Sequence, residues 1–426
     1  MSINEDFFEL YFQYVGRTES PAIFHRWTAI SMISTLLSRN VHLPFGHGEI
    51  FPNQYILLTG GPGTRKGTAI KIGIKLMERI GYDKFSPNKA AKETLWHIMA
   101  NQHNKDDEDS GDIFDLNEPC FTDPVSDMYI AQDEFIDFIG VGNDELLTNL
   151  TNLWDNLSEF SNPKLTKEDA IVSKPTINIL SGATPGGISE AFGSIAMSGG
   201  FFSRVMFIYG GATGTKIAWP DAKNPELEKE LITRLKVIQS LQGEVTIAPE
   251  VKELLAKIYT GFPGLEDRRF AYYCQRRQTH LLKLSVVCAA ARGKLEVIEE
   301  DCIRANTIMH LAELRMPQAL GEFGKARLSD VSNDILEILS NSNTPLNFKQ
   351  LWKHLRQDLA KPADLQELLS NLIQADRIQT AVVKNNKAFL PVLRSDNKWE
   401  PRHIDYSMVR PSEHPEAIEP DKVVAV

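Results

Sequence analysis

The chain is 426 residues long and acidic, with a formal net charge of −10 and a pI of about 5.6. This balance argues against a protein coated in basic surface for duplex binding, but it leaves room for nucleic acid held in a narrow channel by a few lysines repeated around an oligomer. The length allows two or three domains. The lack of a long apolar run or a basic N-terminal segment predicts no membrane partner. Four cysteines without paired spacing predict reduced thiols in a cytoplasmic protein.

The first 45 residues are predicted to form a helical N-terminal region. Aromatic and leucine side chains recur at helical spacing from Phe7 to Tyr14. Pro21 follows Ser20 as at a helix start, and the amphipathic pattern then continues from Ile23 to Leu37.

The strongest motif lies between Phe51 and Ile70. The apolar run Tyr55–Leu58 predicts a buried strand, and a helical pattern extends from Ala69 to Ile80. A glycine-rich loop with a lysine between a strand and a helix is typical of phosphate binding, because backbone N–H groups, the helix N-terminus and the lysine all attract a polyphosphate. The predicted nucleotide-binding residues are Gly61, Pro62, Gly63, Thr64, Arg65, Lys66, Gly67 and Thr68.

This loop departs from the pattern G-x-x-x-x-G-K-[ST] on both sides of its lysine. Arg65 replaces the glycine before Lys66, and Gly67 replaces the hydroxyl residue that usually binds Mg²⁺. Thr68 comes one place late, and it is the predicted metal ligand if the helix start shifts slightly; water is the alternative. A glycine-rich turn without a ligand is the other interpretation of the whole loop.

Two acidic residues follow the next predicted strand. Tyr129–Ala131 is apolar and leads to Asp133 and Glu134. Acids at the carboxyl end of a parallel strand lie beside the phosphate loop in nucleotide-binding folds. We therefore expect Asp133 to hold Mg²⁺ through water, and Glu134 to orient and deprotonate the attacking water. An acidic strand end that faces solvent is the alternative.

Two lysines precede a third predicted strand, and a threonine follows it. The polar stretch before Pro175–Gly182 contains Lys164 and Lys167, and it is either a hairpin that projects into a central pore or an ordinary solvent loop. Thr184 is predicted to sense the γ-phosphate or hold the attacking water; the alternative is a turn threonine before Pro185.

An arginine precedes the last predicted strand of this region, Val205–Tyr209. In this position Arg204 can form a structural ion pair. It can also reach a neighbouring subunit's nucleotide and neutralise charge in the transition state.

The order of these motifs resembles that of an AAA+ ATPase core. Gly60–Thr68, Asp133-Glu134, Thr184 and Arg204 fall in the order of Walker A, Walker B, sensor 1 and arginine finger. Residues 20–320 resemble more closely the primase-associated and phage or plasmid replicative helicases. The stretches that carry this likeness are PAIFHRWTAIS, IFPNQYILLTGGPGTRKG, the strand with Asp-Glu, GATP and GGFFSRV.

The same region resembles the MCM helicases less closely. The stretch GGFFSRVMFIYG is similar to their S-R-F-D segment, with Val205 and Met206 in place of Phe-Asp. Thr184 stands where asparagine is common in those proteins.

The resemblance implies an ATP hydrolase that uses ATP and Mg²⁺ and assembles as a homo-hexameric ring, since an arginine finger acts between subunits. It also implies that Lys164 and Lys167 belong to a pre-sensor hairpin that grips single-stranded DNA, with a primase or loader protein as a further partner. The helical region from residue 224 to about 320 corresponds to a lid, in which Arg276 or Arg277 takes the sensor 2 role.

Residues 328–393 are predicted to form three helices and a β-hairpin, as in a winged helix-turn-helix. Five basic side chains are candidates for phosphate contacts, and nearby acids leave protein binding as the alternative. The basic side chains are Lys349, Lys353, Arg356, Lys384 and Lys387.

The predicted fold is α/β: a P-loop (AAA+-like) ATPase core with a parallel sheet, an N-terminal helical region, a helical lid and a C-terminal winged helix. The predicted boundaries are 1–45, 46–215, 216–325 and 326–395, followed by a flexible tail at 396–426. The predicted function is an ATP-driven DNA translocase, a replicative helicase of a phage or mobile element. The alternatives are a nucleotide-gated DNA-binding or assembly protein with weak ATPase activity, and a protein-remodelling ATPase.

Overall fold

The computed structural model describes two compact units. The larger unit comprises residues 1–323 and 401–426, and the smaller comprises 324–400. The described residues are 6–87, 92–102, 125–155, 159–161, 171–192, 200–219, 224–321, 331, 335–336, 338–339, 342, 344–356, 359, 361–374, 377–383, 386–391 and 403–414.

The larger unit is α/β, as predicted. The predicted boundaries at residues 45 and 215 lie inside it. Its helices are α1 (Phe7–Val15), α2 (Ala22–Leu37), α3 (Lys66–Arg79), α4 (Lys92–Ala100), α5 (Phe135–Ile139), α6 (Asp144–Trp154), α7 (Pro185–Ala191), α8 (Pro225–Gln239), α9 (Pro249–Gly261), α10 (Ala271–Ala291), α11 (Glu299–Glu313) and α12 (Met316–Leu320). Its strands are β1 (Val41–Phe45), β2 (Gly48–Ile50), β3 (Tyr55–Thr59), β4 (Asp127–Gln132), β5 (Glu159–Ser161), β6 (Ile171–Ser173), β7 (Thr176–Ala183), β8 (Val205–Tyr209), β9 (Gly243–Glu244), β10 (Thr246–Ile247) and β11 (Glu296–Val297).

Four parallel strands form the central sheet, in the order β4-β7-β3-β8. Every residue of β3 and β7 is buried, because helices such as α2 and α3 pack against the sheet. Both faces of such a sheet are covered, which explains the unbroken apolar runs in the sequence. In the parallel register Tyr55 pairs with Ile179 and Val205, so the carboxyl ends of the strands share one edge.

The helices after β8 pack onto the same hydrophobic core. The second half of α10 is almost wholly buried, and α10 contacts α2 and α11. This burial explains its apolar face, whereas two arginines of α10 pair with acids, as described below. Among the described residues, none of the helices combines the length and the hydropathy that crossing a membrane requires.

The smaller unit has a core of its own. An antiparallel sheet of three strands accompanies two helices and further helical residues between 331 and 339. Leucines of the two helices form its centre together with Ile335 and Phe389. Its named elements are β12 (Leu346–Asn347), α13 (Phe348–Leu355), α14 (Pro362–Gln374), β13 (Ile378–Val383) and β14 (Asn386–Pro391).

The chain returns to the larger unit after residue 400, where it differs from the predicted flexible tail. Glu413 is buried and accepts two hydrogen bonds from Arg26 of α2, from Nε at 3.1 Å and from Nη2 at 2.8 Å. The backbone N–H of Asp405 donates to Thr307 of α11. Residues 403–414 are therefore part of the folded unit, because they supply the counter-charge for a buried arginine.

Candidate functional site

Three polar segments meet at the carboxyl edge of the central sheet. The glycine-rich loop follows β3, Asp133 and Glu134 follow β4, and Thr184 follows β7. Since β7 lies between β3 and β4, Thr184 leaves the sheet between the loop and the two acids. In open parallel sheets this edge, where connections diverge, is where ligands bind.

The lysine of the loop starts α3 and folds back over the loop. Lys66 Nζ donates to the carbonyl oxygens of Gly60 at 2.9 Å and Gly61 at 3.2 Å. Its residue is only 8% exposed, and burial lowers the pKa of its ammonium, while the charge of Glu134 opposes that shift. A desolvated ammonium bound only to neutral oxygens is prepared to exchange them for an anion.

Arg65 adopts the left-handed conformation that a glycine would adopt more easily. Its φ is 61° and its ψ is 29°, which costs a non-glycine residue about 1–2 kcal/mol. Its Nε lies 2.7 Å and its Nη2 lies 2.6 Å from Glu19 Oε2. Arg65 therefore adopts the left-handed backbone conformation although it stands in place of a glycine.

Glu19 is a residue that sequence reasoning missed. Its carboxylate joins the loop to a second segment, since Oε1 accepts from the N–H of Ile217 at 2.9 Å. The N–H of Ile217, and then Arg65, lower the pKa of this carboxyl. A single acid in a connecting loop carries no sequence signal, so only the structure reveals the contact.

Asp133 packs directly against the start of α3 and the end of β7. A Cβ added to Gly182 would lie 2.2 Å from the backbone oxygen of Asp133, so this position of β7 requires glycine. A Cβ added to Gly67 would lie 3.0 Å from Asp133 Oδ1. Gly182 also escaped the sequence analysis, although a glycine inside a strand often marks such a close approach.

The carboxylate of Glu134 lies at the same edge of the sheet, close to Gly187. It is half-buried, and a Cβ added to Gly187 would lie 3.5 Å from its Oε1. Burial raises the pKa of Glu134 above its usual 4.5, whereas Lys66 and the backbone N–H of Thr184 lower it. A raised pKa makes this carboxylate a better proton acceptor, which suits a general base.

Thr184 caps the helix that follows it. Its Oγ1 accepts from the N–H of Gly187 at 2.9 Å. This bond occupies a lone pair of the hydroxyl but leaves its proton available to donate. The turn and the functional interpretations of Thr184 are therefore compatible.

The two predicted magnesium ligands, Thr68 and Asp133, do not face each other. Thr68 is exposed, and it is Gly67 that faces Asp133. Successive helical residues are about 100° apart, so Thr68 lies on another side of α3. Lys71 Nζ lies 2.6 Å from Asp133 Oδ2. Among the described residues, no group of three or more His, Cys, Asp or Glu side chains is arranged to hold a metal ion.

Arg204 lies at the opposite edge of the sheet, just before β8. The five residues of β3 separate it from the loop by about 16 Å along the strand direction. Arg204 is buried, forms an ion pair with Asp155, and donates from Nη1 to the Gly200 oxygen at 2.9 Å. Within one chain Arg204 is thus remote from Lys66.

The two arginines considered for sensor 2 have different surroundings. Arg277 is buried and donates to both oxygens of Glu313, at 2.6 and 3.1 Å. Arg276 is half-buried, and its Nη1 lies 3.2 Å from Asp155, the acid that also pairs with Arg204. Arg276 is therefore the more accessible of the two.

The predicted DNA-contacting lysines, Lys164 and Lys167, lie outside the described residues. The strands that flank them are described, and β5 and β6 pair antiparallel with Ser161 opposite Ile171.

The interpretation of this site depends on its own residues, because comparison with known families and curated proteins found no match. No protein-family model matches the chain, and no curated protein shows a significant match.

Proposed function

We propose that the chain is an ATP-driven DNA translocase that works as a ring, with a P-loop (AAA+-like) core. The observation that carries the proposal is the convergence of Lys66, Asp133, Glu134 and Thr184 at one edge of the parallel sheet. Phosphoryl transfer to water requires a phosphate-binding loop, acidic side chains and a polar side chain close together, and all three lie at this edge.

The loop, Lys66, Glu134 and Thr184 have direct roles in the proposed hydrolysis. Loop N–H groups and Lys66 bind the triphosphate, and the ammonium exchanges carbonyl oxygens for phosphate oxygens. Glu134 accepts a proton from water as the water oxygen attacks the γ-phosphorus. The bond from that phosphorus to the β–γ bridging oxygen breaks, and ADP leaves with the electron pair. Thr184 donates its hydroxyl proton to the γ-phosphate or to the water.

The position of the arginines supports the proposed ring. Arg204 and Arg276 share Asp155 at the edge opposite the loop, so in a closed ring one subunit's arginine edge can face the next subunit's loop edge. Arg204 would exchange Asp155, whose side chain is 43% exposed, for the neighbour's γ-phosphate. Arg276 is the arginine of the pair that we assign to sensor 2.

The DNA contacts are proposed for the β5–β6 hairpin and its Lys164 and Lys167. Six copies of a short lysine hairpin are compatible with a net charge of −10, because they act in a confined pore. The two helices and the antiparallel pair β13–β14 of the smaller unit support the predicted winged helix, and Lys349 and Lys353 are exposed on α13. We propose that this unit binds DNA or a primase or loader protein.

A second candidate is a nucleotide-gated DNA-binding protein with little turnover. The strained Arg65 and the lack of a hydroxyl at Gly67 favour it, because both depart from the loop of an efficient hydrolase.

ATP binding and hydrolysis, measured with and without single-stranded DNA, test the proposal. We expect Lys66→Ala to lose binding and turnover. We expect Glu134→Gln to keep binding but to lose roughly 10²-fold or more in turnover, the usual contribution of a general base. Lys75→Ala, an exposed change two turns further along α3, is the control. Normal turnover in both site variants would remove the enzyme assignment, and tight binding with negligible DNA-stimulated turnover in the unmodified protein would select the second candidate.

A further inference from the structure

Asp133, the acid that the sequence predicts to hold Mg²⁺, already has a cation beside it. Lys71 Nζ lies 2.6 Å from Asp133 Oδ2. Lys71 is four residues after Gly67, so both lie on the side of α3 that faces Asp133. Helical side chains lean toward the N-terminus of their helix, which carries the ammonium of Lys71 back toward the loop.

The usual hydroxyl ligand of a magnesium site would fit only tightly beside Asp133. A hydroxyl residue at position 67 would bring its Cβ to 3.0 Å from Asp133 Oδ1, a distance tighter than ordinary side-chain contacts. The glycine therefore removes a metal ligand and also lets the carboxylate approach α3. The glycine at position 67 and the lysine at position 71 therefore act on the same carboxylate.

We propose that the Lys71 ammonium takes the place of the divalent cation at Asp133, so that the chain binds a nucleoside triphosphate without Mg²⁺. This inference rests on the proposed function. An ammonium has three N–H donors, of which Asp133 uses one, so the others remain for oxygens of the β- and γ-phosphates. The carboxylate holds Lys71 in position as it would hold a hydrated metal ion.

The distinctive consequence concerns what happens when Lys71 is lost. Without the ammonium, Asp133 is a free carboxylate close to a polyphosphate, and it repels the ligand until another cation neutralises it. A variant without Lys71 should therefore acquire a requirement for Mg²⁺ that the unmodified protein lacks.

The experiment is an equilibrium titration of the full chain with a fluorescent ATP analogue, in excess EDTA and in excess MgCl₂. For the unmodified protein we expect dissociation constants that agree within about threefold in the two buffers. Lys71→Met keeps the apolar stem and should weaken binding in EDTA by about tenfold, the usual effect of losing a charge-assisted hydrogen bond. Added MgCl₂ should restore most of that loss.

Three further variants make the result decisive. Lys75→Met, on the same helix, should bind as the unmodified protein does in both buffers. Lys71→Arg keeps the charge and should retain binding in EDTA, which separates loss of charge from damage to the fold. Lys66→Ala should fail in both buffers.

Binding by the unmodified protein only with MgCl₂, or equal binding in EDTA by Lys71→Met, would overturn the role of Lys71 and leave the nucleotide site intact. Absence of binding in both buffers would instead remove the proposed function itself.

Discussion

Replacing Glu413 with glutamine removes the negative charge that pairs with a buried arginine. The side chains of Arg26 and Glu413 are 1% and 2% exposed, and they share two hydrogen bonds of 3.1 and 2.8 Å. Glutamine is nearly isosteric, but its amide offers one acceptor oxygen and turns an N–H₂ donor toward the guanidinium. Removing one partner of such a pair costs about 3–5 kcal/mol, because the other charge stays buried and unpaired. That is a large part of the 5–15 kcal/mol that typically stabilises a folded protein.

The assay is equilibrium unfolding in urea, followed by tryptophan fluorescence. Trp27 is the next residue of α2 after Arg26 and is 1% exposed, so its emission reports on this region. Ser412→Ala changes an exposed neighbour and should stay within about 0.5 kcal/mol. The double variant Arg26→Met/Glu413→Leu replaces both charges with apolar groups and should recover most of the loss, because neither charge is left unpaired.

A loss below about 1 kcal/mol for Glu413→Gln would refute this reasoning, since that is the value of a solvent-exposed pair. Residues 403–414 would then be a tail that the fold does not need, as the sequence alone predicts.

Two other predictions concern the carboxyl edge of the central sheet and the dependence of stability on pH. In Gly182→Ala the new Cβ would lie 2.2 Å from the backbone oxygen of Asp133, so the end of β4 must move. We therefore expect the affinity for the fluorescent ATP analogue to fall roughly tenfold or more. Gly48→Ala has open space around its new Cβ and should not change this affinity. Burial lowers the pKa of His25 to about 4 and that of His280 to about 3. As the pH falls below about 6.5, these histidines therefore take up protons in the unfolded chain before they do so in the folded one. Urea unfolding should therefore show about 2 kcal/mol less stability per histidine at about pH 5 than near neutrality, and His280→Gln, which no longer titrates, should show a smaller decrease.

Most elements of the candidate site were predicted from the local sequence pattern. The strand Tyr55–Leu58 was predicted, and β3 extends it by one residue to Thr59. The helix predicted from Ala69 begins instead at Lys66, because the arginine before it provides the left-handed turn from which a helix can start at once. The acids follow a strand as predicted, and the middle of β4, Met128–Ala131, is apolar and buried because both faces of the sheet are covered.

Pattern could not identify the partners of these residues. Both interpretations of Arg204 were open in the sequence, and its pairing with Asp155 joins residues 49 positions apart. The choice between Arg276 and Arg277 likewise needed the position of Glu313. Neither Lys71 nor Glu19 drew notice, since a charged residue on a helix or in a loop is ordinary until its neighbour is known.

The sequence by itself determined the α/β class, the parallel sheet and the loop with its lysine, because hydrophobic periodicity and glycine content act over neighbouring residues. Only the tertiary structure decided which charges meet. In the folded chain Lys71 and Gly182 lie beside Asp133, and Arg204 lies at the edge of the sheet opposite the loop. Glu413 binds Arg26, which is 387 residues away in the sequence. Electrostatic pairs depend on distances in space, which a linear order of residues does not contain until the chain has folded.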